Sequence, residues 1–486
     1  MNELIIDASA PGATISPHIY GQFAEHLGRC IYDGVWGGGE SSTDGFRVAV
    51  LAALDELSIP NIRWPGGCFA DTYHWLDGVG PRDDRPGIFN VFWVGTLENN
   101  HFGTHEFFEL CTRLNCDPFI VGNVGSGTVR EMAEWLEYIT HPGPSPMAEL
   151  RQSNGRQQHW PLTYWGVGNE NWGCGGRMRA EYYADEFRRY ATYCRNFSGS
   201  PLYKIACGHD EAWNEKLLSI AAGQMNGLSI HYYTMSRSKE KRNGSATNFS
   251  PADWNHVMKV SLELDGFIAR TVEQMDRYDP KKRIGLIVDE WGTWYDAEPG
   301  TNPSFLYQQN TMRDALVAGI SLNIFHQHAD RVHMANIAQM ANVLQAMVLT
   351  EGPRLLRTPT FHVFEMYKPH RGAQLLKTQI NGDSIAGETG AIPALHASAS
   401  RDAGGRIHLS LCNLNPESPI DVTCKLTGAV ANAATGRILT GSDMADHNTF
   451  DAPNRVIPQP FDQIKLAGNE VNLSLPAHSV AVIELN

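Results

Sequence analysis

At 486 residues, 42% hydrophobic and 19% charged, the chain has the composition of a folded globular protein with room for more than one domain. Its formal net charge of -14 repels nucleic acid phosphates and anionic lipid, which excludes both as expected partners. No stretch approaches the roughly 20 apolar residues of a membrane-spanning helix.

The first residues, MNELIIDASAPG, lack the basic n-region of a secretory signal. Nine cysteines are scattered without a C-x-x-C pair, which predicts reduced thiols in a cytoplasmic protein rather than a disulfide framework or a zinc site.

Residues 3–8 form a short β-like run with no local partner. From residue 19 onward, buried strands alternate with amphipathic helices. Strand one is predicted at 19–23 and strand two at 61–64, the latter stopped by Pro65-Gly66-Gly67. Strand three follows at 117–122, strand four at 162–170 and strand five at 204–207. Strand six is predicted at 228–233, strand seven at 284–290 and strand eight at 322–326. The intervening helices are predicted over 46–57, 104–114, 128–139, 179–194, 214–222, 261–278 and 308–319, with a last one at 336–349. Strand–helix alternation implies parallel pairing. Eight such units favour closure into a (β/α)8 TIM barrel over a doubly wound sheet, and no G-x-G-x-x-G follows a strand to support a Rossmann domain. After residue 366 the helical periodicity fades into short β runs separated by Gly, Pro and Asn, the pattern of an antiparallel β-sandwich. The expected architecture is a catalytic barrel over 16–365, with a β-sandwich built from 366–486 plus residues 1–15.

In such a barrel the functional side chains sit at the C-terminal ends of the strands. Two of those ends read alike. Trp165-Gly-Val-Gly-Asn-Glu170 closes strand four and Leu286-Ile-Val-Asp-Glu-Trp291 closes strand seven. Two carboxylates facing each other across a barrel mouth can break a glycosidic bond, as general acid/base and nucleophile with retention at about 5–5.5 Å, or with inversion at roughly 6.5–9.5 Å. Other strand ends offer supporting groups. Asn169 is suited to bond a substrate hydroxyl, and Arg63 to supply a fixed positive charge to Glu290. His231 and Tyr233 lie at the end of strand six, with Tyr233 placed to donate to Glu290. Trp93, Trp172 and Trp291 offer flat faces for a sugar ring. His326-Gln-His328 has metal-ligand spacing, but no third ligand is evident nearby. These histidines are therefore read as hydrogen-bonded rim residues, and no metal is expected.

Several stretches resemble the α-L-arabinofuranosidases of glycoside hydrolase family 51: YGQFAEHLGRCIY (20–32), RWPGG (63–67), NHFGTHEF (100–107), GNENWG (168–173), SIHYY (229–233) and DEWG (289–292). The resemblance covers about 16–367. It implies Glu170 as acid/base, Glu290 as nucleophile, and Glu25, Cys68, Asn169, Tyr233 and Gln339 as contacts to an arabinofuranose. Either Tyr232 or Tyr233 could be the matching tyrosine. The resemblance also implies an exo-acting, cofactor-free, cytoplasmic homo-oligomer, often a hexamer, acting on arabinofuranosyl-containing oligosaccharides. The long basic loop at 234–251 is expected to shape the leaving-group side. The nearest alternatives are other barrel glycosidases: a β-xylosidase, an endoglucanase or a galactofuranosidase.

Overall fold

The computed structural model describes every residue except 1, 38–41, 94, 237–242 and 389. Eight parallel strands close into a barrel: β1 (Gly21–Phe23), β2 (Asn61–Trp64), β3 (Asp117–Gly122), β4 (Tyr164–Val167), β5 (Tyr203–Cys207), β6 (Gly227–Met235), β7 (Gly285–Trp294) and β8 (Val332–Ala338). Each strand pairs with its neighbours in chain order, and β8 closes the ring against β1. The crossover helices begin where short polar side chains can satisfy free backbone N–H groups. Thr128, Asp210, Ser250 and Thr311 each cap a helix in this way. Below the rim the barrel interior is filled by Phe119, Val121, Ile205, Ile287 and Met334, so it is a packed core with a closed floor.

The eighth unit differs from the sequence expectation. Residues 322–326 are not a strand. They form the last turns of a 16-residue helix, Met312–Gln327, and the strand lies further on at Val332–Ala338. No helix spans 336–349. That stretch holds the end of β8, a loop and the start of a short strand, Val348–Glu351, and the closing helix is Pro359–Met366. The helix Met312–Gln327 is buried along nearly its whole length, because one side packs on the barrel and the other on the second sheet. There Ser410 Oγ donates to Asn323 Oδ1 at 2.7 Å. A helix buried on all sides has no polar stripe, and its apolar run reads like a core strand.

The second sheet has ten strands in the order Gln459–Pro460, Ala434–Leu439, Ser479–Leu485, Ile407–Asn413, Leu395–Arg401, Gln374–Asn381, Asn2–Asp7, Ile420–Thr427, Glu470–Leu475 and Ile464–Ala467. All its pairings are antiparallel except that of Asn2–Asp7 with Ile420–Thr427. Leu4 and Ile6 alternate into the same apolar core as Leu376, Leu409, Val422, Leu473 and Ile483. None of the described helices is long and apolar enough to cross a membrane.

Candidate active site

β4 ends at Val167, and the chain turns through Gly168 and Asn169 to Glu170, whose φ of +41° is left-handed. Such a backbone costs a non-glycine residue on the order of 1–3 kcal/mol, so the surroundings must hold it. On the opposite wall the β6–β7 register shifts between Ser229 and His231, and the β7–β8 register shifts between Val288 and Trp291. Consecutive residues Asp289 and Glu290 can therefore both reach the barrel axis, where each meets Arg63.

Glu170 and Glu290 face each other over one pocket. A carboxylate oxygen of each and a ring nitrogen of His231 all lie within 4.8 Å of one another. The cavity, about 250 Å³, is lined by Glu25, Leu27, Cys68, Trp93, Glu170, Trp172, Tyr233, Met235, Glu290, Trp294, Leu306, Gln339 and Leu344. Gly67 passes directly beneath the Glu290 carboxylate, where an added Cβ would lie 2.5 Å from Oε1, and a Cβ on Gly66 would meet Glu25 Cγ at the same distance. Only glycine lets the loop after β2 run this close to both carboxylates.

Glu290 is held from two sides. Arg63 Nη1 donates to Oε1 at 2.9 Å and the Tyr233 hydroxyl to Oε2 at 2.8 Å. Arg63 is itself buried. It lies over the Phe23 ring at 4.6 Å, donates to Asn169 Oδ1 at 2.6 Å and pairs through Nε with Asp289 Oδ2 at 3.0 Å. Burial pushes the Glu290 carboxyl up, while His231 and Arg63 pull it back toward the ionised form. Burial and the neighbouring Glu290 keep the Tyr233 phenol protonated, so it remains a donor. Tyr232 points elsewhere, with its hydroxyl on the Val260 carbonyl at 2.6 Å.

His231 sits between the carboxylates. Nδ1 is 2.9 Å from Glu170 Oε1 and 3.5 Å from Glu290 Oε2, and Nε2 is 3.4 Å from Asp289 Oδ1. Burial disfavours its charge, but Glu290, Asp289 and Glu170 outweigh that and raise it to about 10. Its charge therefore adds stability that is fully present below the unfolded value near 6.5 and is lost as pH rises through about 10. The thermal midpoint of the wild type is expected to fall relative to that of His231→Asn across this window. A constant gap between the two melting curves would contradict the charge assignment.

Glu25, at the end of β1, accepts from the Phe69 N–H at 3.1 Å, Trp93 Nε1 at 3.2 Å and Gln339 Nε2 at 3.0 Å. Burial first, and Glu290 second, raise it to about 7. Gln339 Oε1 is buried and finds no donor among the described residues.

Seven of the expected site residues, Glu25, Cys68, Trp93, Glu170, Tyr233, Glu290 and Gln339, line this one cavity, and Trp172 lines it with them. Arg63, Asn169 and His231 form the layer that holds the carboxylates. Trp291 is different. It is buried in the barrel wall against Phe325 and Phe364, because the register shift before it turns it outward. Trp294, three residues on, faces the cavity instead and packs edge-on against Tyr233 at 5.0 Å. Met235, Leu306 and Leu344 complete an apolar wall that no sequence motif announced. The basic stretch at 237–242 lies outside the described residues.

Two further expectations are corrected. Cys68 and Cys174 are joined in a disulfide between the loops after β2 and β4, while the other seven cysteines are free. The sulfurs rest 3.9 and 3.5 Å from Glu170 Oε2. His326 and His328 are not at the rim, because they lie at the end of the helix Met312–Gln327. His326 bonds Tyr20 and Ser398 between the barrel and the second sheet, and burial lowers it to about 3. His328 pairs with Asp265 at 2.7 Å. Glu170, His231 and Glu290 are close enough to share an ion, but Nδ1 of His231 is already engaged with Glu170 Oε1 at 2.9 Å. The disulfide likewise leaves Cys68 and Cys174 no thiolate.

A closed parallel barrel whose fourth and seventh strands deliver two facing carboxylates into a floored pocket defines a glycoside hydrolase. Residues 53–249 match the family model of the α-L-arabinofuranosidase 1 domain, and residues 289–479 match that of the α-L-arabinofuranosidase C-terminal domain. The chain is 49% identical to an intracellular exo-α-L-arabinofuranosidase of Bacteroides ovatus, over 97% of this chain and 93% of that one. Its fold matches the family 51 arabinofuranosidase of Xanthomonas axonopodis pv. citri with a TM-score of 0.98 at 45% identity, covering 100% of this chain and 99% of that one. It matches the Thermotoga maritima α-L-arabinofuranosidase, solved with arabinose, with a TM-score of 0.88 at 30% identity, covering 100% and 99%. The chain belongs to the α-L-arabinofuranosidases of glycoside hydrolase family 51.

Proposed function

We propose that the protein releases terminal arabinofuranose from arabinose-containing oligosaccharides by double displacement with retention. The observation that carries this reading is the approach of the Glu170 and Glu290 carboxylate oxygens to within 4.8 Å. That approach is on the side of the roughly 5–5.5 Å separation of retaining enzymes rather than the roughly 6.5–9.5 Å that leaves room for an attacking water beside the sugar, and it suits a nucleophile opposite an acid. Glu290, oriented by Arg63 and Tyr233, attacks the anomeric carbon while Glu170 gives its proton to the departing oxygen. Glu170 then deprotonates the water that releases the sugar. Glu25, Asn169 and the free Gln339 Oε1 are suited to the ring hydroxyls. Trp93, Trp172 and Trp294 offer apolar faces around the ring. A small cavity with a packed floor favours one terminal sugar over a threaded polymer, in keeping with the exo-acting name of the Bacteroides ovatus relative. That relative's intracellular name also supports a cytoplasmic location for this chain. Assembly into a homo-oligomer is part of the same proposal and is read by light scattering.

The decisive experiment is methanolysis of 4-nitrophenyl α-L-arabinofuranoside followed by NMR. Methyl α-L-arabinofuranoside is the expected first product, and the β-anomer would overturn retention. A parallel panel of aryl xylosides, glucosides and galactofuranosides tests the sugar, and preferred hydrolysis of any of them would overturn the substrate assignment.

A further inference from the structure

Asp71 lies outside the pocket, buried in the loop after β2, yet it is where the loops after β2, β3 and β4 converge. Its Oδ1 accepts from the backbone N–H groups of Val124 and Gly125, at 2.7 Å each. Its Oδ2 accepts from the Asn169 N–H at 2.8 Å and from Asn171 Nδ2 at 3.2 Å. Its own carbonyl takes two more bonds, from the N–H and the hydroxyl of Ser126. Two glycines make room for it. A Cβ on Gly175 would lie 2.4 Å from Oδ2, and one on Gly125 would lie 2.9 Å from the Asp71 Cβ.

Asn169 and Asn171 flank Glu170, the residue in left-handed backbone. The turn is also tied by the Gly173 and Gly175 N–H groups on the Glu170 carbonyl, at 2.6 and 3.1 Å, by Arg63 on Asn169 Oδ1, by Asn171 Nδ2 on the Gly175 carbonyl at 2.8 Å, by the Asn171 N–H on Cys207 Sγ at 3.4 Å and by the Met178 N–H on the Asn171 carbonyl at 2.7 Å. Burial raises the Asp71 carboxyl to about 7 while its four donors pull it back, and the ionised form accepts all four. It thereby holds the Asn169 backbone on one side of Glu170 and the Asn171 side chain on the other, without touching the Glu170 side chain. We propose that Asp71 is a positioning residue that sets the Asn169–Asn171 turn and thereby aims Glu170 at the leaving-group oxygen. This rests on the assignment of Glu170 as acid/base above. Asparagine at position 71 would keep the size but turn an amide donor toward one of the two donor pairs, breaking the clamp on one side.

The test compares two aryl arabinofuranosides, one with phenol and one with 2,4-dinitrophenol as leaving group, in wild type, Asp71→Asn, Glu170→Ala and the double variant. An activated leaving group needs no proton, so a misaimed acid penalises only the poor one. Asp71→Asn is expected to lower kcat/KM by about 100-fold on the phenyl substrate and by less than about fivefold on the dinitrophenyl substrate. Added to Glu170→Ala, it should cost little more on either. Equal losses on both substrates, or a full additional loss in the Glu170→Ala background, would overturn the proposal. A Glu170→Ala variant that itself fails to discriminate the two leaving groups would instead remove the acid/base assignment on which the proposal stands. If Asp71→Asn does not fold, Asn171→Ala removes one donor and leaves the carboxylate. It should reproduce the leaving-group dependence at smaller size, and a uniform loss there would count against the clamp.

Discussion

Glu290→Ala is expected to lower kcat/KM on an aryl arabinofuranoside by on the order of 10⁵-fold, because the covalent step disappears while the pocket stays. The carboxylate is held by Arg63 and Tyr233 from opposite oxygens, and each keeps other contacts, Arg63 on Phe23 and Asp289 and Tyr233 on Trp294. The vacated space admits a small anion, so azide should restore turnover and give the β-azide, with inversion, since one displacement replaces two. A variant that keeps near wild-type activity without azide would show that another group is the nucleophile. Arg63 makes the substitution tolerable for the fold, because it retains the Asp289 carboxylate at 3.0 Å as a counter-ion.

Glu170→Ala should lose about 10²–10⁴-fold on substrates whose leaving group needs a proton, and far less on the dinitrophenyl substrate. Here azide should attack the glycosyl-enzyme from the side the acid once occupied, giving the α-azide with retention. The opposite azide stereochemistry of the two variants separates acid from nucleophile in one NMR measurement. Identical products would dissolve the assignment.

Much of the cavity lining was legible in the sequence because Asn169-Glu170, His231-Tyr232-Tyr233 and Asp289-Glu290 close the apolar runs of predicted barrel strands, although the choice between Tyr232 and Tyr233 was not. The eighth unit was not legible. Leu322-Asn-Ile-Phe-His326 carries the apolar, β-branched signature of a buried strand, yet it belongs to a helix sandwiched between two sheets. The closing helix did have a local signature, Thr358 as cap with Pro359 in the first turn. Trp291 and Trp294 could not be told apart without the register shift at Val288–Trp291, which no residue type announces. The Cys68–Cys174 pairing joins positions 106 apart, and only the barrel makes those loops neighbours.

The strand Asn2–Asp7 has a consequence for how the molecule is made. It pairs with Gln374–Asn381 on one side and Ile420–Thr427 on the other, so that Glu3 meets Asn381 from 378 positions away. During synthesis this strand emerges long before either partner exists, with both of its edges open. The barrel can gather itself from near neighbours as it leaves the ribosome, but the second sheet must wait for a contact of very high sequence separation. Its assembly must therefore wait until residues 374–381 and 420–427 have been made, and a strand made early is placed late.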